Sequence, residues 1–258
     1  MQIYGFNKTT LLDYPEHIAA TVFTGGCNFR CPFCHNSGLV LAVEKQQLIS
    51  EAEVMEHLRK RRGILDGLCI TGGEPTLQPD LMQFIDRVKE LGYLIKLDTN
   101  GYRPKVLEQL LRLEMLDYVA MDIKASKEKY ACVAGVQELD LSRIEQSVDL
   151  LKNSGIPYEF RTTVVKGIHE IKEFEEIGRW LSGCRAYYLQ AFRESENVLG
   201  MQEVMQLDEV RQDEAMQETA GQSRLARNNF GSFTIEEMQQ MAELARKYIT
   251  KVEMRGID

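Results

Sequence analysis

The stretch His17-Ile-Ala-Ala-Thr-Val-Phe-Thr24 runs through Gly25-Gly26 into Cys27-Asn-Phe-Arg-Cys31-Pro-Phe-Cys34. Its first eight residues are apolar and β-branched enough for a buried strand, and the two glycines punctuate its end. A strand that delivers cysteines to its C-terminal end points to an α/β architecture, where sites gather along that edge of a parallel sheet. The spacing is C-x3-C-x2-C. Three thiolates on one loop can hold three corners of a cubane iron–sulfur cluster and leave one iron without a protein ligand, whereas electron-transfer clusters take four cysteines. An open position marks a catalytic metal site rather than a structural one. Zinc, with His35 as fourth ligand, also fits the spacing; zinc ligands, however, usually come in two separated pairs, and the sequence has no second pair. The other cysteines, Cys69, Cys132 and Cys184, stand singly and read as small buried side chains.

Outward from the cysteines, strands and helices alternate. Further strands are expected over Leu68–Thr71, Tyr93–Asp98, Tyr118–Ile123, Tyr158–Val165 and Ala186–Phe192. Between them lie helical faces such as Leu81, Phe84, Ile85, Val88 and Leu91, closed by Gly92. Six strands alternating with helices predict parallel βαβ units. A doubly wound open sheet fits that alternation too. Polar residues at nearly every strand end favour a partial (β/α)6 barrel: Gly72-Gly73-Glu74-Pro75, Asp98-Thr99-Asn100-Gly101, Asp122 with Lys124, and Arg161 with Gln190 and Arg193 farther on.

The rhythm breaks after residue 193. The expected organisation is a core over 1–193, an irregular insert, lid or solvated linker over 194–232, and a C-terminal helix and tail over 233–258 packed on the core. A capping box of Thr234 and Glu237 opens that helix, with Ile235, Met238, Met241, Ala245 and Tyr248 facing inward. The 258 residues are 44% hydrophobic, ample for a core, and the net charge of −8 disfavours nucleic acid or an anionic membrane as partner. No apolar run approaches the ~20 residues of a membrane span, and Met1–Thr10 carries no secretory pattern, so a cytoplasmic location is expected.

With these motifs the chain resembles radical S-adenosylmethionine enzymes, and within them the single-cluster activating proteins of anaerobic ribonucleoside-triphosphate reductase. Cys27-x3-Cys31-x2-Cys34 with Phe33 before the last cysteine carries the wider likeness. Thr10-Leu-Leu-Asp-Tyr-Pro15, Thr24-Gly-Gly-Cys27 and Cys34-His-Asn36 carry the narrower one. The resemblance extends from about Gly5 to Phe192 and resumes at the C-terminal helix and Met254-Arg-Gly256. It implies an oxidoreductase with a [4Fe–4S] cluster and S-adenosylmethionine, fed one electron by a flavodoxin or ferredoxin. The resulting radical would take hydrogen from a glycine of a glycyl-radical enzyme subunit. A radical enzyme acting on a small molecule or peptide is the alternative. No further cysteine cluster lies between Cys34 and Gly72, so the ferredoxin-like insert of many metabolite-specific activases is absent there.

The same resemblance assigns residues. Phe33 and Gly72-Gly73-Glu74 would lie at the methionine end of S-adenosylmethionine. Asp98 and Asp122, with Thr99 assisting, would hold a monovalent cation or Mg2+, against the alternative of a salt bridge from either aspartate to Lys124. Arg161 would meet a ligand carboxylate, or else an internal partner. Asn36, Gln190 and Arg193 would contact the nucleoside, and Val164 and its neighbours would lie near adenine. His17, His57 and His169 belong to no motif.

Overall fold

The computed structural model describes residues 1–193, 198 and 230–257. Eight strands form one sheet in chain order: β1 (Ile3–Thr10), β2 (Ala19–Thr24), β3 (Gly67–Gly72), β4 (Leu94–Thr99), β5 (Tyr118–Asp122), β6 (Tyr158–Val164), β7 (Tyr187–Ala191) and β8 (Val252–Arg255). β1 runs antiparallel to β2, and every later neighbour is parallel. β1 and β8 are the two edges, so the sheet stays open as a partial barrel.

The six strands expected from sequence are β2 to β7. The structure adds one at each edge. β1 hides its strand character because Asn7, Lys8 and Thr9 are exposed and break the apolar alternation. β8 is four residues long, too short for a periodic signal.

The helices are α1 (Ser37–Leu41), α2 (Glu51–Lys60), α3 (Leu81–Lys89), α4 (Pro104–Arg112), α5 (Tyr130–Ala134), α6 (Leu141–Lys152), α7 (Glu173–Trp180) and α8 (Ile235–Arg246). Their starts follow from local chemistry. Ser50 Oγ accepts the Glu53 N–H (3.2 Å) at α2, and Thr234 with Glu237 completes a capping box at α8; such caps contribute about 1 kcal/mol each. On α3 the fully buried residues are Leu81, Phe84, Ile85 and Val88, the helical stripe read from the sequence. Gly92 then leaves the helix at φ +88°.

α8 lies on α7, where Gly178 lets Ala245 approach closely: a Cβ at 178 would stand 2.9 Å from the Ala245 Cα. From α8 the chain enters β8, parallel to β7, so this segment adds a further α/β unit and extends the sheet instead of merely covering the core. Met238, Met241 and Ala245 are buried as expected, but Ile235 is exposed because it occupies the first turn, beyond the α7 contact. The insert expected over 194–232 lies outside the described residues except at Val198 and 230–232. Gly231 pairs with Lys166, and Ser232 Oγ donates to the Phe192 carbonyl (2.5 Å). Among the described residues no helix is long and apolar enough to cross a membrane.

Candidate active site

Alternation along the strands separates two faces. Ile70, Leu97, Met121, Phe160 and Val164 are buried in the core, while Thr71, Asp98, Asp122, Arg161 and Thr163 face the other way. At the C-terminal ends of β2 to β6 these polar groups and the cysteine loop enclose an open cavity of about 210 Å³. Val164, expected near adenine, belongs to the core face; its neighbour Thr163 lines the cavity.

Cys27, Cys31, Cys34 and Phe33 all line this cavity. Backbone bonds from three directions hold their loop. Gly26 N–H donates to Leu39 O, Glu74 N–H to Gly26 O, and Arg30 N–H to Ala134 O, each at 2.8 Å. The last contact depends on Gly135, which caps α5 at φ +65°. A Cβ there would lie 2.3 Å from Arg30 O, so only glycine both adopts the conformation and leaves the space. Burial pushes the Cys27 thiol up to about 11 and the Cys31 thiol up to about 12, so metal binding must expel their protons.

Among the described residues no three His, Cys, Asp or Glu side chains are arranged to hold a single metal ion. Three thiols line one cavity, a donor set whose chemistry suits an iron–sulfur cluster. His35, the fourth ligand of the zinc alternative, has Nε2 2.7 Å from the Arg193 carbonyl and therefore donates there. Cys69 and Cys184 are buried as expected; Cys132 is exposed, because α5 turns that side outward.

In the Gly-Gly-Glu-Pro turn, Gly72 and Gly73 line the cavity and Glu74 does not. Its glycines admit protein backbone. A Cβ at Gly72 would stand 2.3 Å from Thr24 N, and one at Gly73 would stand 2.0 Å from Gly26 O. The β3 turn thus lies flush against the residues leading into Cys27. The Glu74 carboxylate is buried and accepts from Thr76 N (3.0 Å), the Thr76 hydroxyl, Thr99 Oγ1 (2.8 Å) and Asn100 N (2.7 Å). Burial raises its pKa while these bonds oppose the rise. Glu74 is a tie between the β3 and β4 ends, not a ligand-facing acid.

Four alternating charges, Asp98, Arg161, Asp122 and Lys124, line the cavity, and buried Lys96 extends the row behind Asp98. Lys96 pairs with Asp98. Arg161 bridges the carboxylates through Nη2 to Asp98 Oδ2 (3.0 Å) and Nε to Asp122 Oδ1 (2.6 Å), and Lys124 Nζ reaches Asp122 Oδ2 (3.0 Å). Burial alone would raise both aspartate pKa values. Arg161 and Lys96 reverse that for Asp98, and Arg161 and Lys124 hold Asp122 far below the usual carboxylate range. Asp98 and Asp122, the residues expected to hold a cation, are paired with protein cations, and Thr99 turns to Glu74. The Asp122–Lys124 salt bridge and the internal partner of Arg161 are what the structure contains. Sequence reading missed Lys96, which is 2% exposed. Its position two residues before Asp98 on a strand, hence on the same face, was the available signal.

Asn36 and both residues of the Gly72-Gly73 pair line the cavity, and Asn36 Nδ2 donates to Gly72 O (2.9 Å), joining the cysteine loop to β3. Gln190 pairs with Thr163 in register but does not line the cavity, and Arg193 is exposed beyond it. His17 and His57 stay outside the site. His169 is buried under Phe33 (ring centroids 6.2 Å apart); its Nδ1 accepts from Val165 N–H (3.0 Å) and its Nε2 donates to Lys124 O (2.8 Å). Burial lowers its pKa. A folded pKa below the unfolded ~6.5 contributes stability that is full above pH 6.5 and lost as pH falls through the folded value. His169→Gln is expected to flatten the decline of unfolding free energy below pH 6.5, measured by urea titration; an unchanged slope would assign that decline to other groups.

Comparison with known proteins matches residues 21–181 to the Radical SAM superfamily. A protein of Methanocaldococcus jannaschii named as a glycyl-radical enzyme activating enzyme is 30% identical over 261 residues, covering 99% of this chain and 96% of that one. One of Thermococcus kodakarensis named as a GTP 3′,8-cyclase is 33% identical over 150 residues, 57% of this chain and 47% of that one. Among solved structures, Streptococcus suis SuiB superposes with a TM-score of 0.61 at 12% identity, over 90% of this chain and 47% of that one. Native anSMEcpe with bound AdoMet gives 0.57 at 15% identity, over 90% and 61%. The chain thus spans nearly the whole of the first relative but about half of the cyclase and of SuiB.

Proposed function

The chain belongs to the radical SAM superfamily, and from that premise we propose that it activates a glycyl-radical enzyme, with anaerobic ribonucleoside-triphosphate reductase as the partner and a flavodoxin or ferredoxin as electron donor. Similarity along almost the full length of both chains to a protein named as an activating enzyme carries this reading. Cys27, Cys31 and Cys34 would hold a [4Fe–4S] cluster, and the cavity beside them S-adenosylmethionine. When bound, the two supply a reductively generated 5′-deoxyadenosyl radical that takes a hydrogen atom from the target glycine.

The chain's own residues supply position and polarity. The backbone clamps of the cysteine loop keep the three thiols on the cavity wall. Lys124 and Arg161 put paired cations on the cavity lining, and Asp98 and Asp122 offset their charge. Phe33 and the surrounding buried side chains keep water from that wall. A second reading, a radical enzyme for a small molecule, has the cyclase likeness in its favour. A polyphosphate substrate requires cations ready to pair with it, and among the described residues the cavity-lining Lys124 and Arg161 are already bound to carboxylates. That favours an uncharged target such as a glycine in a protein loop.

The test mixes anaerobically reconstituted protein, S-adenosylmethionine and a reductant with the candidate reductase and looks for a glycyl radical by electron paramagnetic resonance. Formation of 5′-deoxyadenosine with no radical on the reductase would remove that partner while leaving the chemistry. Cys31→Ser is expected to lower iron bound after reconstitution by at least tenfold and to abolish S-adenosylmethionine cleavage. Full iron retention in that variant would contradict the ligand assignment.

A further inference from the structure

Cys27 carries donors that play no part in holding the loop. The Phe29 N–H lies 3.4 Å from its sulfur, and the side-chain Nδ2 of Asn100 lies 3.8 Å from it. Asn100 cannot be turned over. Its Oδ1 accepts the Tyr102 N–H (3.0 Å), so its Nδ2 must face Cys27 and the Oδ1 of Asn28 (2.9 Å). That contact fixes Asn28 in turn. With its oxygen committed to Asn100, the Nδ2 of Asn28 is a buried N–H group with no hydrogen-bond partner among the described residues.

A buried donor without an acceptor is destabilising, so it marks a place where an acceptor is missing. Asn28 therefore holds the Asn100 amide with its Nδ2 beside Cys27 on the cavity lining, where the strongest acceptor to arrive would be anionic sulfur. Hydrogen bonds to cluster sulfurs stabilise the more negative, reduced state and so raise its potential. We propose that Asn100, oriented by its pairing with Asn28, donates a hydrogen bond at the Cys27 corner of the cluster and raises its reduction potential. This rests on the cluster assignment above. Asn100 acts here as a positioning residue: its backbone N–H holds Glu74, and its side chain serves the sulfur.

The experiment is a redox titration of the reconstituted protein, followed by electron paramagnetic resonance, on wild type, Asn100→Ala, Asn100→Asp and Asn28→Ala. Asn100→Asp keeps the shape and the acceptor for Tyr102 but loses the donor. The expected result is full iron content in all four proteins, with the midpoint shifted to more negative potential in both Asn100 variants and by a smaller amount in Asn28→Ala. Unshifted potentials in iron-loaded variants overturn the proposal, and a shift confined to the Asn100 variants overturns the pairing. Iron loss in both Asn100 variants would make the pair a structural clip and overturn it too. Failure of the wild type itself to take up a cluster would instead sink the cluster assignment.

Discussion

Replacing Arg161 by methionine is expected to lower the unfolding free energy by about 2–4 kcal/mol at neutral pH, a range reduced from that of a fully buried pair because Asp122 keeps some exposure. Methionine fills similar space, so the loss isolates charge. Asp98 and Asp122 would face each other without the guanidinium that bridges them. The pH dependence identifies the cause. In the native protein both aspartates titrate below their unfolded value of ~3.9, so their stabilisation is present above about pH 4 and lost as pH falls through the lower folded values. In the variant that depression weakens, with only Lys96 and Lys124 left to oppose burial. The difference between the two proteins should therefore shrink steadily below pH 4 in urea titrations. A constant difference across that range would mean that packing, and not charge, is what Arg161 supplies.

Gly73→Ala should be comparably damaging for a different reason. The added Cβ would stand 2.0 Å from Gly26 O, a backbone atom that cannot rotate away. The β3 turn and the cysteine loop would have to separate, breaking the bond from Glu74 N–H to Gly26 O. The expected cost is about 3 kcal/mol or more, with a matching loss of iron after reconstitution. Gly63→Ala is the control. Gly63 has φ +78° but nothing within 4 Å of a Cβ, so its cost is conformational only, about 1 kcal/mol. Equal effects of the two substitutions would discard the close approach as the reason for Gly73.

Much of this arrangement was readable beforehand. The buried strands from β2 to β7 announced themselves through apolar runs ending in Gly, Asp or Lys, because a parallel sheet must bury one face and expose its chemistry at one edge. The cysteine triplet and the Asp98, Asp122 and Arg161 strand ends lie on the cavity for the same reason. What escaped notice depended on pairing across the chain. Glu74 looks like a ligand residue in its own turn; Thr99 and Asn100, twenty-five residues on, draw it inward. The role of Gly135 is set by Arg30, more than a hundred residues earlier. Edge strands carry weak patterns because half their surroundings are solvent, and β1 and β8 were lost accordingly.

The sheet order repeats the order of synthesis, each strand lying beside the one made before it. A growing chain can therefore lay down the sheet progressively, with no later strand forced between two earlier ones. One debt is left open along the way. Glu159 of β6 is 1% exposed in the finished protein and receives both Nη groups of Arg255 (2.7 and 2.8 Å) across 96 residues. Until β8 emerges from the ribosome and docks, that carboxylate must stay hydrated or protonated, so the β6–β7 end of the nascent sheet remains loose. Arrival of β8 locks it, so the barrel is committed only when the last strand of the sheet has docked.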